Sequence, residues 1–227
     1  MLRKWDELPE KMKTDEVKAY YEILSHKKFS LLIKRMFDFT MALILLILIS
    51  PILIVIALII MADSSGGVFY RQVRITQYGK EFRIHKFRTM VNNADKIGSL
   101  VTVGEDSRVT NVGKILRKYR LDELPQLIDI LQGNMSFVGT RPEVPKYVNE
   151  YSDEMMATLL LPAGVTSQAS IYYKDEAELL KGAEDVDEVY VKKVLPAKMK
   201  YNLESIKAFT FWGEMQIMLN TVEAVLT

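Results

Sequence analysis

From Phe39 to Ala62 the chain carries no charged side chain for 24 residues, and Asp38 and Asp63 bracket the run. As straight helix it would reach about 36 Å, enough to cross a hydrocarbon core of roughly 30 Å. It starts too late and runs too long for a cleaved signal peptide. Hydropathy alone predicts a spanning helix. Two features point to a different path. Ser50-Pro51 sits at the midpoint, where proline removes one helix hydrogen bond and crowds the preceding turn. Each half, roughly 17 Å long, is too short to span alone. The flanks are also basic on both sides, with Lys27, Lys28, Lys34 and Arg35 before and Arg71, Arg74, Lys80, Arg83 and Lys86 after. A spanning helix concentrates basic residues on its cytoplasmic side. The expectation is therefore a re-entrant membrane helix over residues 36–62, broken at Ser50-Pro51 and leaving by the face it entered. The Ser50 hydroxyl would satisfy a carbonyl freed at the bend. A kinked spanning helix is the alternative.

The 227 residues suit one domain with an appendage. With no cysteine, the chain has no disulfide, thiolate nucleophile or sulfur-ligated zinc. Two histidines, His26 and His85, exclude a multi-histidine metal site. The net charge of +1 conceals segregation: +3 over residues 1–35, −1 over 36–62, +7 over 63–120 and −8 over 121–227. A block at +7 calls for phosphate groups, nucleic acid or anionic lipid. Residues 1–35 read as an N-terminal amphipathic helical extension, because Val17, Tyr20, Tyr21 and Leu24 share one helical face. That face suits packing on the soluble domain or the headgroup layer equally.

Residues 63–227 read as a soluble domain. Two β-rich runs, V-F-Y-R-Q-V-R-I and E-F-R-I-H-K-F-R-T-M, flank a turn at Gln77–Lys80 and predict a hairpin. Alternation sets Arg83, His85 and Phe87 on one face and Phe82, Ile84, Lys86 and Arg88 on the other. Arg71, Arg74, Lys86 and Arg88 are a solvated face or, beside a membrane, a hold for a lipid phosphate or nucleotide diphosphate. In residues 111–132, Lys114, Arg117 and Arg120 recur every three residues on one side of a short helix. A second helix starts with Asp122 as N-cap, tolerates Pro125 in its first turn, buries Leu124, Leu127, Ile128 and Leu131, and stops at Gly133.

Asp122 and Glu123 then meet a positive helix end beside arginines, which favours ionised carboxylates. An ionised carboxylate is a competent nucleophile, and paired hard oxygens near phosphate suit Mg²⁺. The same spacing is also an ordinary helix start. M-S-F-V predicts a strand running into Gly-Thr-Arg-Pro, where Pro142 stiffens Arg141 for bidentate phosphate binding. Asp185-Val186-Asp187 has the Asp-x-Asp form of metal–nucleotide sites, but it lies in an acidic, surface-like run. Residues 175–200 read as solvated helical surface. No phosphate-binding glycine loop and no G-x-S-x-G elbow is present.

Four pieces in order carry a resemblance. They are the apolar segment with a central Ser50-Pro51, K-F-R-T-M (Lys86–Met90), L-R-x-x-x-L-D-E-L-P-Q-L (Leu116–Leu127) and S-F-V-G-x-R-P (Ser136–Pro142). Over roughly residues 30–220 the chain resembles the bacterial sugar transferases, the monotopic polyprenyl-phosphate phosphoglycosyl transferases. The resemblance implies an α+β, mainly helical fold: a membrane re-entrant helix with a small cytoplasmic catalytic domain containing a short β-hairpin and interfacial helices. It implies transfer of sugar-1-phosphate from a UDP-sugar to undecaprenyl (polyprenyl) phosphate with release of UMP, at the cytoplasmic face of the bacterial inner membrane. By the same resemblance Asp122 is the nucleophile of a phosphosugar–aspartyl intermediate and Glu123 binds Mg²⁺. Lys86, Arg88, Arg117 and Arg141 match positions associated with the phosphates. Membrane lipid is a partner, nucleic acid is not, and a homo-oligomer is compatible with the sequence.

The family commonly reads Gly-Pro-Arg-Pro where this chain has Gly139–Pro142, and often Pro-Gly-x-Thr-Gly-Trp-Ala-Gln where it has Pro162–Ala169. No sugar- or base-contacting residue is carried over from the second loop. Two competing readings make distinct predictions. A non-catalytic, membrane-anchored anion-binding protein needs neither carboxylate nor Mg²⁺. A glycosyltransferase using Asp185 and Asp187 releases UDP rather than UMP.

Overall fold

Two helices open the chain, α1 (Asp15–Ser25) and α2 (Lys28–Asp63), in a computed structural model that describes residues 2–94, 106–173, 179, 180, 183 and 185–226. Thr14 caps α1 by accepting from the Val17 amide at 3.3 Å. Val17, Tyr20 and Leu24 are buried, with Tyr21 half-buried, so the apolar stripe turns inward. It packs with Leu8 and Met12 against Met156, Leu160, Leu203 and Phe209. The N-terminal segment therefore belongs to the domain core, which decides between the two placements its stripe allowed. Tyr20 adds a 2.5 Å hydrogen bond to Glu154.

Helix α2 extends well beyond the uncharged run. Its charged first turns persist as helix because the domain supplies their partners. Lys34 contacts Asp38 Oδ2 at 3.2 Å, Glu214 Oε2 at 3.0 Å and Ser136 Oγ, all four groups being buried. Burial pushes the Glu214 carboxyl up, with Lys34 opposing. Arg35 donates to the Ile130 and Leu131 carbonyls at 2.8 and 3.3 Å. The expected break at Ser50-Pro51 is absent, and the helix is continuous across it. Proline at 51 leaves the Ile47 carbonyl without its amide donor. The Ser50 hydroxyl donates to that carbonyl at 2.8 Å, which replaces the missing bond without ending the helix.

One stripe of α2 is docked along most of its length. Ala42, Leu45, Leu46 and Ile49 meet Phe82, Ile84, Leu127, Ile130 and Met135. Leu53, Ile56, Ala57 and Ile60 meet Phe87, Leu116 and Leu121. The opposite face exposes Ile44, Ile47, Leu48, Ile54, Val55, Leu58 and Ile59. Among the described residues this is the one helix long and apolar enough to cross a membrane.

The expected hairpin is present in two short ladders, β1 (Phe69–Tyr70) with β4 (Lys86–Phe87) and β2 (Val73–Ile75) with β3 (Glu81–Arg83), all antiparallel. Phe69↔Phe87 and Val73↔Arg83 keep one register, and Ile84 donates to Gln72 between the ladders at 3.0 Å. Next come α3 (Asn111–Lys118), α4 (Gln126–Leu131) and β5 (Met135–Val138). After α5 (Pro145–Val148), β6 (Ala163–Thr166) pairs in parallel with β5, a pairing without a local sequence signal.

Helices α6 (Gln168–Tyr172), α7 (Val186–Val189), α8 (Leu195–Lys207) and α9 (Phe211–Leu226) complete the order. Residues 175–200 depart from the expected solvated surface. Part of that stretch lies outside the described residues, but Leu180, Tyr190, Val194, Leu195 and Met199 form a buried cluster with Val144 and Tyr147. The apolar residues among the lysines and acids pack inward, and Lys198 is buried with them, its ammonium 3.2 Å from the Tyr190 hydroxyl. The chain is mostly helical with few short strands.

Truncating Leu24, fully buried in the N-terminal layer, tests whether residues 1–25 are structural. Leu24→Ala is expected to destabilise the purified chain by about 2–5 kcal/mol in a denaturant melt. A shift below about 0.5 kcal/mol would place the segment outside the cooperative unit.

Candidate active site

A cavity of about 380 Å³ lies between the hairpin, α3 and the segment joining α3 to α4. It collects Lys86, Arg88, Arg117, Asp122, Glu123 and Arg141 from four separate sequence stretches. Ser50 and Pro51 are not among its lining residues and sit in the middle of α2. Asp185 and Asp187 are also elsewhere. Asp185 caps α7, and Asp187 accepts from Tyr147 and Lys146.

The local backbone differs from the predicted helix–cap–helix. Helix α3 ends at Lys118, and Arg120 adopts a left-handed conformation (φ 52°, ψ 25°) rather than continuing the basic stripe. Leu121–Glu123 form a single 3₁₀ turn, and α4 starts only after Pro125. Asp122 is thus not the cap of an α-helix. The helix dipole gives way to side-chain cations as the carboxylates' main support. In α4 the fully buried side chains include Gln126, Asp129 and Ile130, so its inward face is rotated from the predicted leucine stripe. Gly133, at φ +80°, ends the segment as expected.

The two carboxylates are held unequally. Glu123 receives Lys86 Nζ at 2.8 Å and a bidentate Arg141, whose Nη1 lies 3.1 Å from Oε2. Burial alone would raise the Glu123 pKa, but Arg141 and Lys86 together hold it well below the usual carboxylate range. Glu123 in turn raises the Arg141 pKa. Among the described residues Asp122 has only Lys86, at 3.4 Å. It is the less neutralised oxygen donor, buried yet opening on the cavity.

Other cavity cations are committed to the scaffold. Arg88 donates to the carbonyls of Gly67, Ser65 and Ser64 at 2.6, 2.7 and 2.8 Å, which fastens the turn after α2. Arg74 bonds Gln72 and the Pro142 carbonyl, and burial lowers its pKa. Arg108 bonds Asp106 and the Ala94 carbonyl. Arg117 and Arg120 line the cavity with no hydrogen bond or ion pair from their guanidinium groups among the described residues.

Three supports escaped sequence reasoning. Asp129 is fully buried and grips His85 twice, at the backbone amide (2.8 Å) and at Nδ1 (2.7 Å). It thereby staples α4 to the strand that carries Lys86. Gly164 approaches Gly139 so closely that a Cβ would lie 2.2 Å from the Gly139 amide, which seats the loop holding Arg141. A Cβ on Gly113 would meet the Thr89 carbonyl at 2.1 Å, so α3 also docks by a close backbone approach. An aspartate opposite a histidine across forty residues has no local pattern, although a glycine between apolar strand residues hints at close approach.

For Mg²⁺, the donor set is two hard carboxylates facing a cavity whose other charged lining residues are all basic. No cluster of three or more acidic or histidine ligands occurs among the described residues. Mg²⁺ is commonly held by one or two carboxylates plus substrate phosphates, so Asp122 and Glu123 fit that donor set.

The chain matches the family described as bacterial sugar transferase over residues 29–227. One relative is the UDP-N-acetylgalactosamine-undecaprenyl-phosphate N-acetylgalactosaminephosphotransferase of Aeromonas hydrophila. It is 33% identical over 198 residues, which are 86% of this chain and 44% of that protein. A UDP-glucose:undecaprenyl-phosphate glucose-1-phosphate transferase of Klebsiella pneumoniae is 35% identical over 199 residues, 85% of this chain and 40% of the relative. One of the same name from Caulobacter vibrioides is 34% identical, with 86% of this chain matching 70% of that protein. The chain thus spans less than half the length of the first two.

Removing the charge from Glu123 leaves Arg141 and Lys86 without a full counter-charge. Glu123→Gln is expected to lower stability by roughly 1–3 kcal/mol. Because the folded pKa is depressed, that contribution is complete above the ordinary value of 4.5 and is lost as pH falls further, through the folded value. Melts of both proteins should differ by a constant amount from about pH 8 to about pH 5 and converge below pH 4.5. A gap that closes near neutrality would contradict the assignment.

Proposed function

The chain belongs to the bacterial sugar transferase family, and from that premise we propose that it transfers sugar-1-phosphate from a UDP-sugar to undecaprenyl phosphate, releasing UMP. The observation that carries this reading is the meeting of Asp122 and Glu123 with Lys86, Arg117 and Arg141 around one cavity. Relatives of comparable identity are named for different sugars, N-acetylgalactosamine and glucose. The donor is therefore proposed as a class.

In this proposal the inequality between the carboxylates divides the labour. Glu123 spends its charge on Lys86 and Arg141, whereas Asp122 keeps most of its own. An Asp122 oxygen attacks the phosphorus bearing the sugar, and a new carboxylate–phosphorus bond forms. The bond from that phosphorus to the bridging oxygen breaks, and UMP departs with the electron pair. A phosphate oxygen of the lipid then attacks the same phosphorus, the acyl phosphate bond breaks, and the Asp122 carboxylate is restored. Mg²⁺, held through Glu123 and Asp122, would supply charge neutralisation for the phosphates. Arg117, which has no ion pair, and Arg141 are the proposed phosphate-facing cations, and both hold charge where charge develops. Arg88 acts by keeping the cavity wall in place.

We assign the chain to the cytoplasmic face of the bacterial inner membrane, with residues 63–227 as the catalytic domain. Support for a non-spanning path comes from the docked stripe of α2. From Lys34 to Ile60, about 39 Å of helix lies against the polar domain. An upright span would carry that domain into the hydrocarbon, where its unpaired polar groups would be costly. A continuous helix lying at a shallow angle in the interface exposes only its apolar face to lipid.

Two outcomes follow. Asp122→Asn is expected to abolish UMP release from the UDP-sugar even without lipid acceptor, and chelation of Mg²⁺ to silence the intact chain. Substantial turnover by the variant, or UDP as the product, would sink the mechanism. In the naturally cysteine-free chain, Ser30→Cys and Ser65→Cys should both react with an impermeant maleimide from the same side of sealed vesicles. Labelling from opposite sides would establish a spanning helix.

A further inference from the structure

Resting on the proposed transferase reading, we propose that Arg120 is the residue that receives the phosphate of the membrane-borne acceptor. Five of the seven basic side chains around the cavity are committed. Lys86 and Arg141 neutralise the carboxylates, and Arg74, Arg88 and Arg108 brace the walls. Among the described residues Arg117 and Arg120 are left, and they are joined through the backbone, the Arg120 amide donating to the Arg117 carbonyl at 3.2 Å. A reaction with two anionic substrates needs cations that no protein carboxylate has already neutralised.

The backbone at Arg120 points to a retained side chain. Its φ of 52° is a conformation that favours glycine or asparagine after a helix end, and arginine fits it poorly. A position that glycine would satisfy more cheaply carries an exposed guanidinium at the cavity instead. Strain of this kind persists where a side chain serves a purpose.

Location selects the lipid phosphate over the nucleotide. Leu121, next in the chain, packs with Leu53, Ile56, Ala57 and Ile60 of α2, together with Val112 and Leu116 of α3. The turn carrying Arg120 is thus seated on the membrane helix, whose other side exposes Ile54, Val55, Leu58 and Ile59. Ile115 of α3 and Tyr119 just after it are exposed as well. A phosphate tethered to a chain buried in lipid reaches this edge of the cavity with its tail still in the apolar layer. The arginine's planar fork suits a terminal phosphate, which offers more than one oxygen.

The test uses the full chain in detergent with undecaprenyl phosphate and whichever of UDP-glucose, UDP-galactose or UDP-N-acetylgalactosamine it turns over. Arg120→Gly suits the backbone and removes the guanidinium, so it should melt no lower than the wild type. Its KM for undecaprenyl phosphate should rise roughly tenfold to a hundredfold, the loss of one charge-assisted contact. The rate of UMP release in a single turnover without acceptor should stay within about threefold of wild type. Arg120→Lys should recover part of the acceptor affinity, and Lys118→Gln, two residues earlier at the end of α3, should leave it unchanged. An unchanged acceptor KM in Arg120→Gly, or equal losses in both half-reactions, would overturn the assignment while leaving the transferase reading intact. A wild-type chain that releases no UMP from any of the three donors would overturn both.

Discussion

Helix α2 has two unlike faces, one docked on the domain and one exposed and apolar, and the placement of the candidate site follows from that division. Its buried stripe runs from Lys34 to Ile60 and serves as a bed for the hairpin, α3, α4 and β5. Its other face is a continuous run of exposed aliphatic side chains. A helix used this way cannot shed its charged first turns into water, because the domain covers them. Lys34 and Asp38 are instead paired with Glu214 and Ser136. Burying ionised groups is costly unless they are matched, and this network couples α2 to β5 and to α9 at its N-terminal end. At the other end, Asp63 accepts from the Val112 amide at 3.3 Å, which ties the last turn of α2 to the start of α3.

The charged groups of the cavity inherit their positions from that bed. Phe87 packs on Ile56 and Ile60, which sets the depth of the strand that presents Lys86. Leu121 packs on the same cluster one residue before Asp122. The carboxylates and their shared lysine are thus referenced to one helix from two directions. The Asp129–His85 staple closes the triangle by joining α4 to the lysine strand. Arg141 arrives from a third direction, on a loop seated by the glycine-to-glycine approach of β5 and β6. No single element owns the site, so small shifts in packing are felt as changes in ion-pair geometry.

Local patterns in the sequence carried the apolar run, the hairpin and the strand before Arg141, because each is a short-range pattern of period or turn chemistry. The Asp122–Glu123 pair stood out for its company, and the structure brings Lys86, Arg88, Arg117 and Arg141 around it. What the sequence could not display was the balance among those cations. Arg88 and Arg117 look equivalent as letters, yet one is bonded to three carbonyls and the other to none. The helix start expected at Asp122 failed because Arg120 turns left-handed, and nothing in a one-dimensional pattern announces a positive φ at arginine. The proline in α2 misled in the opposite sense: its cost was real but was offset by the neighbouring hydroxyl on the Ile47 carbonyl.

In the proposed reaction, a cavity that takes a soluble nucleotide and a lipid-tethered phosphate has to remain cationic while holding an anionic nucleophile. Full neutralisation of both carboxylates would quench the nucleophile, and none would repel both substrates. The asymmetry found here resolves the conflict within hydrogen-bonding distance. Glu123 absorbs Lys86 and the bidentate Arg141, so those cations remain near the phosphates without capping Asp122. Asp122 sits 3.4 Å from Lys86, too far for a strong hydrogen bond to tie up its lone pairs. Exchanging the two carboxylates in sequence would keep every charge in the cavity and lose this division, because only the side chain at 123 meets the Arg141 fork.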